Sequence, residues 1–185
     1  HGYWDAISYI TDTAGYGDIC ASQDLIGLFE AGDVRADMFV TMSIHPTTYW
    51  PTKYTGRLGK VPAREYVLPI LRLSEMYLIR AEALLNGATA GGATALDDFN
   101  QLRTQRGLTE AASVTLNDIY LERRRELNFE GHELFDLART QRGVVRTDFP
   151  GTVNKDIPFP DYRWAMAIPQ TEIDANVNMQ QNDGY

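Results

Sequence analysis

The residues whose types and spacing suit chemistry are the carboxylates Glu122, Glu126, Glu130, Glu133 and Asp136, which fall within one helical stretch. A glycosidase needs two carboxylates facing its substrate, one as acid and one as base or nucleophile. Here Arg123, Arg124, Arg125 and Arg139 are interleaved with them. At i, i+3 and i, i+4 spacing, acid–arginine pairing on the helix is the expected arrangement, so these groups are read as structural. Asp33 and Arg35, two apart in a turn after Gly32, are expected to bond the backbone and each other, and they are also read as structural. His1, His45 and His132 are scattered without metal-ligand spacing. No nucleophile elbow, phosphate-binding loop or dinucleotide glycine pattern occurs. The expectation is no catalytic residue, no metal and no cofactor.

Cys20, the single cysteine, has no Cys or His neighbour and is expected to be a small buried hydrophobe. The remaining chemistry-bearing side chains are aromatic. Tyr3 and Trp4 lie in an irregular Gly- and Tyr-rich start, and Tyr49, Trp50 and Tyr54 lie in a Pro- and Gly-punctuated run over 45–65. Long irregular connections are often functional, and aromatic rings on them can stack on sugar faces. The same rings can equally pin a loop to the core. Tyr3, Trp4, Tyr49, Trp50 and Tyr54 are the candidate ligand contacts.

The elements that must position these residues are helical. Leu73, Met76, Tyr77, Arg80, Ala81 and Leu84 recur at helical spacing over 72–85, and the glycines at 87, 91 and 92 make a turn. A second helix over 93–106 sets Leu96, Phe99, Leu102 and Arg103 on one side and Asp97, Asp98 and Gln101 on another. Thr115 with Asp118 begins a third, marked by Ile119, Tyr120, Arg123, Leu127 and Glu130; residues 132–139 form a fourth. Ser22 is a plausible cap for a short helix that ends near Gly32, and 38–41 reads as a strand. Residues 64–71 read as extended, and 171–174 as one helical turn in a Pro-broken C-terminal segment. The organisation is thus a loop-rich segment over 1–66, a helical core over 67–142 and an irregular segment over 143–185. The fold class is mainly α, with helical hairpins, long irregular loops and a few short strands.

Composition bounds the function. With 44% hydrophobic and 23% charged residues over 185 positions the chain has the makings of a real core, and a net charge of -8 opposes nucleic acid as a partner. No apolar run approaches the roughly 18 residues of a spanning helix. The opening His1-Gly-Tyr-Trp-Asp5, without an initiator Met, reads as a piece of a longer precursor.

Several segments together resemble one family. These are Ile70-Leu-Arg-Leu-Ser-Glu-Met-Tyr-Leu-Ile-Arg-Ala-Glu-Ala-Leu84, the run 95–108 and the run 119–139. To them are added the turn Gly32-Asp-Val-Arg35 and the ending Ile168-Pro-Gln-Thr-Glu-Ile-Asp-Ala-Asn-Val-Asn-Met-Gln-Gln-Asn-Asp-Gly-Tyr185. In order and spacing they resemble the SusD/RagB family of outer-membrane nutrient-binding lipoproteins. The resemblance implies a mainly helical fold with tetratricopeptide-like hairpins and no enzymatic activity. It implies a surface-exposed location at the outer membrane of Bacteroidetes, with attachment only through a lipid anchor outside this chain. It also implies binding of glycans, or in some members peptides, and a SusC-like TonB-dependent transporter as partner. The chain would then be the C-terminal portion, and the matched segments are scaffold, so ligand residues do not transfer. Two rivals stand beside this reading. A tetratricopeptide-like protein- or peptide-binding scaffold would use a concave helical face, and a carbohydrate-active enzyme would need two unpaired carboxylates in a cleft.

Overall fold

The computed structural model describes residues 19–43, 45–53, 70–148, 151–153 and 155–185. The irregular start with Tyr3 and Trp4, Tyr54 and residues 64–69 of the extended run expected over 64–71 lie outside them. The chain groups into two compact units, His1–Gly131 and His132–Tyr185. The described residues are mainly helical, with a few short strands.

In the first unit, α1 (Gln23–Ile26) is a single turn whose Ser22 hydroxyl accepts the Leu25 N–H. It stops at Gly27, earlier than expected. A 3₁₀ turn (Val34–Met38) leads into β1 (Phe39–Met42), which pairs antiparallel with β2 (His45–Pro51) in the register Phe39 to Pro51 and Val40 to Trp50. The start of the expected irregular connection is therefore a strand. Its prolines are tolerated where the missing N–H would face away from the paired strand and so breaks no ladder bond.

The helices follow. α2 (Leu73–Leu85) turns through Gly87, at φ +94°, into α3 (Ala95–Gln105), and α2 packs on both α3 and α4 (Leu116–Glu126). Thr94 and Asp97 form a reciprocal capping box at the start of α3, and Thr115 and Asp118 do the same for α4. The core joins Leu78 and Ala81 of α2, Ala95, Phe99 and Leu102 of α3, and Ile119 of α4. The face of α2 that packs is thus Glu75, Leu78 and Ala81; of the expected stripe, Ala81 and Leu84 are on the core side, while Leu73 and Met76 point outward. α2 is apolar on both sides, so periodicity alone did not choose between them. On α3, Asp98 is buried rather than on a solvent side, because Arg80 clasps it with two bonds of 2.6 and 2.7 Å. α4 ends at Glu126, short of Glu130, and Phe129 takes the left-handed conformation at φ +59°.

Cys20 is exposed, contrary to expectation. Ala21 beside it is buried in a bridge to Tyr49, and neighbours in extended chain face opposite ways.

The second unit holds α5 (Glu133–Arg139), a two-residue ladder of β3 (Val144–Val145) with β4 (Asp156–Ile157), a 3₁₀ turn (Tyr162–Trp164) and α6 (Gln170–Ala175). Its tail is tied by side chains. Gln181 accepts the Ile168 N–H and donates to the Ile168 carbonyl, and the Tyr185 hydroxyl donates to the Ala165 carbonyl.

Candidate functional site

The most heavily charged part of the first unit is buried. Arg35 lies in the turn before β1, where Nε and Nη2 donate to the two Asp33 oxygens at 2.9 and 2.7 Å. The Asp33 side chain also accepts the Arg35 N–H at 3.0 Å, so the Asp33–Arg35 pairing expected from sequence is present. The remaining nitrogen, Nη1, reaches α4 and donates to Glu122 at 2.6 Å and Glu126 at 3.0 Å. Glu122 also receives two bonds from Arg125, at 2.9 and 2.5 Å. Glu126 takes two from Arg106, at 2.9 and 2.7 Å, and one from Arg72 at 3.1 Å.

Glu122, Glu126, Glu130 and Asp136 are thus all paired, and the expected local arginines account for part of this. Glu122–Arg125 and Asp136–Arg139 are local i, i+3 pairs. Glu126 is held by arginines from three other segments, and Glu130 by Arg72 and Lys53. Spacing along a helix reports only its own exposed neighbours; the partners of an inward-facing acid come from whatever packs against it.

Burial pushes the Glu126 carboxyl up, but the Arg106 hydrogen bonds and the charges of Arg106, Arg72 and Arg35 outweigh it and hold the group at about 2, below its ordinary 4.5. Burial likewise opposes the charge on Arg35, yet Asp33 and Glu122 raise its affinity for the proton overall. A carboxyl held that low stays ionised at neutral pH and cannot act there as a general acid. Because the folded value lies below the unfolded one, its stabilisation is present above pH 4.5 and is lost as pH falls towards 2. The loss expected across that window is about 3 kcal/mol. Urea titrations at pH 6, 4 and 2.5 check it, and Glu126→Gln should flatten the dependence.

The cluster also sets the hairpin in place. Val34 N–H donates to the Arg106 carbonyl, and a Cβ on Gly107, at φ +80°, would sit 2.7 Å from the Gly32 carbonyl, so the backbone at that junction leaves no room for a side chain. At the far end of β2, Lys53 donates to the carbonyls of Glu126 and Asn128 and pairs with Glu130. Phe39 stacks at a tilt between Phe29 and Phe129. The β1–β2 ribbon is thus pinned to the end of α4 on both strands.

That ribbon carries the two candidate contacts among the described residues. Trp50 is 3% exposed and meets His45 edge-on, with ring centroids 6.2 Å apart, so its ring is buried and offers no free face. Tyr49 keeps part of its surface, and its carbonyl accepts the Ala21 N–H at 2.8 Å. Strand alternation sends the two rings to opposite faces, and reading 45–51 as loop hid this. Residues 3, 4 and 54 lie outside the described set, so the five aromatics are not shown to meet. The sequence reading also missed an aromatic group in the second unit. There Phe159 meets Trp164 at 5.6 Å and Tyr162 meets Tyr185 at 5.2 Å, with Tyr162 and Tyr185 about half exposed. Among the described residues no group of three or more His, Cys, Asp or Glu is placed to hold a metal, and no helix is long and apolar enough to cross a membrane.

The described residues form a mainly helical scaffold with a buried arginine–carboxylate junction and an aromatic-bearing ribbon. The family model described as the SusD family matches residues 33–185, and the chain belongs to that family. It is 34% identical over 124 residues to the starch-binding protein SusD of Bacteroides thetaiotaomicron, a match covering 64% of this chain and 21% of that protein. It is similar in structure to a SusD superfamily protein of Bacteroides thetaiotaomicron, with TM-score 0.78 and 28% identity over 96% of this chain and 43% of that one. A SusD-like carbohydrate binding protein of Bacteroides vulgatus matches with TM-score 0.63 and 27% identity, over 80% of this chain and 33% of the other. The chain thus spans about a fifth of the length of the starch-binding relative and less than half of these solved structures.

Proposed function

We propose that the chain is part of a non-catalytic glycan-binding protein at the surface of a bacterial outer membrane. It is held there by a lipid anchor carried outside these residues, and it passes oligosaccharides to a SusC-like TonB-dependent transporter. The observation that carries this is the family match over 33–185, supported by a starch-binding relative 34% identical. The engagement of Glu122, Glu126, Glu130 and Asp136 in ion pairs favours binding over hydrolysis. A glycosidase would need an acid and a base left free to exchange protons.

Tyr49 is the candidate contact among the described residues that keeps part of its surface, and Tyr3, Trp4 and Tyr54 are proposed as further contacts. Trp50 supports the ribbon beneath. Each stacked ring contributes on the order of 1 kcal/mol, so Tyr49→Ala should weaken binding about fivefold. Trp50→Ala should instead lower the melting temperature. The test is a glycan array that includes soluble starch, followed by calorimetry on the hits with wild type, Tyr49→Ala and the combined Tyr3, Trp4 and Tyr54 alanine variant. Silence across the array, or release of reducing ends from a bound glycan, would sink the proposal. Undiminished binding by both variants would reject these contacts.

A further inference from the structure

We infer that Asn86–Gly87, in the turn between α2 and α3, is a site of spontaneous covalent modification by deamidation, and that the C-cap of α2 gates it. The sequence holds one Asn-Gly pair. The fold makes it the C-cap of α2 and the residue that follows. Gly87 N–H donates to the Leu84 carbonyl at 3.1 Å and Ala88 N–H to the Ala83 carbonyl at 3.0 Å, the two bonds of a Schellman ending. That ending needs a left-handed residue, and Gly87 supplies it at φ +94°. A Cβ there would meet nothing within 4 Å, so conformation rather than space selects glycine. The turn thereby sets an unhindered main-chain nitrogen directly after an asparagine side chain.

In the reaction the Gly87 nitrogen gives its proton to hydroxide and attacks Asn86 Cγ. The new N–Cγ bond forms as the Cγ–Nδ2 bond breaks, and ammonia leaves behind a five-membered succinimide ring. Water then opens the ring at either carbonyl. The product is aspartate at position 86, or its isomer, in which the main chain runs through the side chain. In the folded cap both reacting nitrogens are occupied as donors, Gly87 N–H to Leu84 and Asn86 Nδ2 to the Glu82 carbonyl at 2.9 Å. Ring closure also needs Asn86 Cβ nearly eclipsed with the Gly87 nitrogen, and ψ 13° holds them well apart. The last turn of α2 must therefore open first, and such local openings cost less free energy than global unfolding. The isomer adds one carbon to the main chain, so the bonds to Ala83 and Leu84 no longer both close. Aspartate keeps the spacing but sets a negative charge at the negative end of the α2 dipole. Leu84 and Leu85, which pack on the core just before the cap, carry the loss into the α2–α3 hairpin.

The test incubates the 185-residue chain in buffer and in concentrated urea at one pH and temperature. Peptide mass spectrometry follows position 86, and an isoaspartyl methyltransferase counts the isomer. In urea position 86 should be modified before any other asparagine, and in buffer at least about tenfold more slowly, because the cap must open first. Asn86→Gln, whose longer side chain would have to close a six-membered ring, should nearly abolish modification there. Ala88→Pro removes the N–H that the Ala83 carbonyl accepts, and should speed modification in buffer severalfold while leaving the urea rate unchanged. Equal wild-type rates in buffer and urea, or no acceleration by Ala88→Pro, overturn the gate. An unreactive position 86 in urea, or a faster asparagine elsewhere, overturns the site. Should Ala88→Pro not fold, the wild-type comparison decides alone. The isomer purified from aged chain should melt below Asn86→Asp, and the reverse order overturns the assigned consequence. None of these readouts involves a glycan, so the modification and the proposed function fail separately.

Discussion

Glu122→Gln is expected to remove about 3–5 kcal/mol of unfolding free energy, the cost of breaking a buried ion pair from one side. Glu122 is fully buried at 0% exposure, and its two oxygens hold Arg35 and Arg125. The amide has nearly the same shape, so packing changes little. What changes is charge: Arg125 and Arg35 keep their desolvation penalty and lose a shared anion, leaving Asp33 and Glu126 to offset Arg35. A whole domain is stabilised by only about 5–15 kcal/mol, so the variant should sit close to its unfolding threshold at room temperature. Urea denaturation against wild type measures the effect. Glu110→Gln, on an exposed residue, should stay within about 0.5 kcal/mol. A loss below about 1 kcal/mol for Glu122→Gln would mean that water reaches the cluster and that it is not a buried junction.

The second large effect comes from α2, where two leucines five residues apart should behave in opposite ways. Leu78→Ala should cost about 2–5 kcal/mol, because its side chain is fully enclosed by α3 and α4 and the cavity left cannot collapse completely. Leu73→Ala, at a position 70% exposed, should cost less than about 0.5 kcal/mol in the isolated chain. Melting temperatures and urea midpoints of the two variants check the contrast. Equal costs would mean that Leu73 is packed in solution and that the face assignment of α2 is wrong.

These two cases show where the amino-acid pattern ran out. The capping box at Thr115 was legible because the bonds of a cap close within four residues. So were the hairpin turn after Leu85 and the Asp33–Arg35 pairing, again because the interacting groups are local. The packed face of α2 was not legible, since apolar residues occupy both sides and the choice depends on which side α3 and α4 approach. The partners of Glu126 were not legible either. Arg35, Arg72 and Arg106 lie 91, 54 and 20 residues away, and nothing in the local pattern marks them as neighbours. Among the candidate contacts, Tyr49 and Trp50 looked equivalent while 45–51 was read as loop; pairing with β1 made them inequivalent by sending one to each face.

By itself the sequence determined where most helices lie, the caps at Ser22 and Thr115, the hairpin turn and the resemblance to the family, because these depend on short-range spacing and on the order of motifs. Tertiary structure alone decided which side of each helix is core, which arginine neutralises which carboxylate, and which aromatic of the ribbon is buried. Those outcomes depend on the mutual approach of segments far apart in the chain, and burial and charge pairing take their values only once that approach has been made.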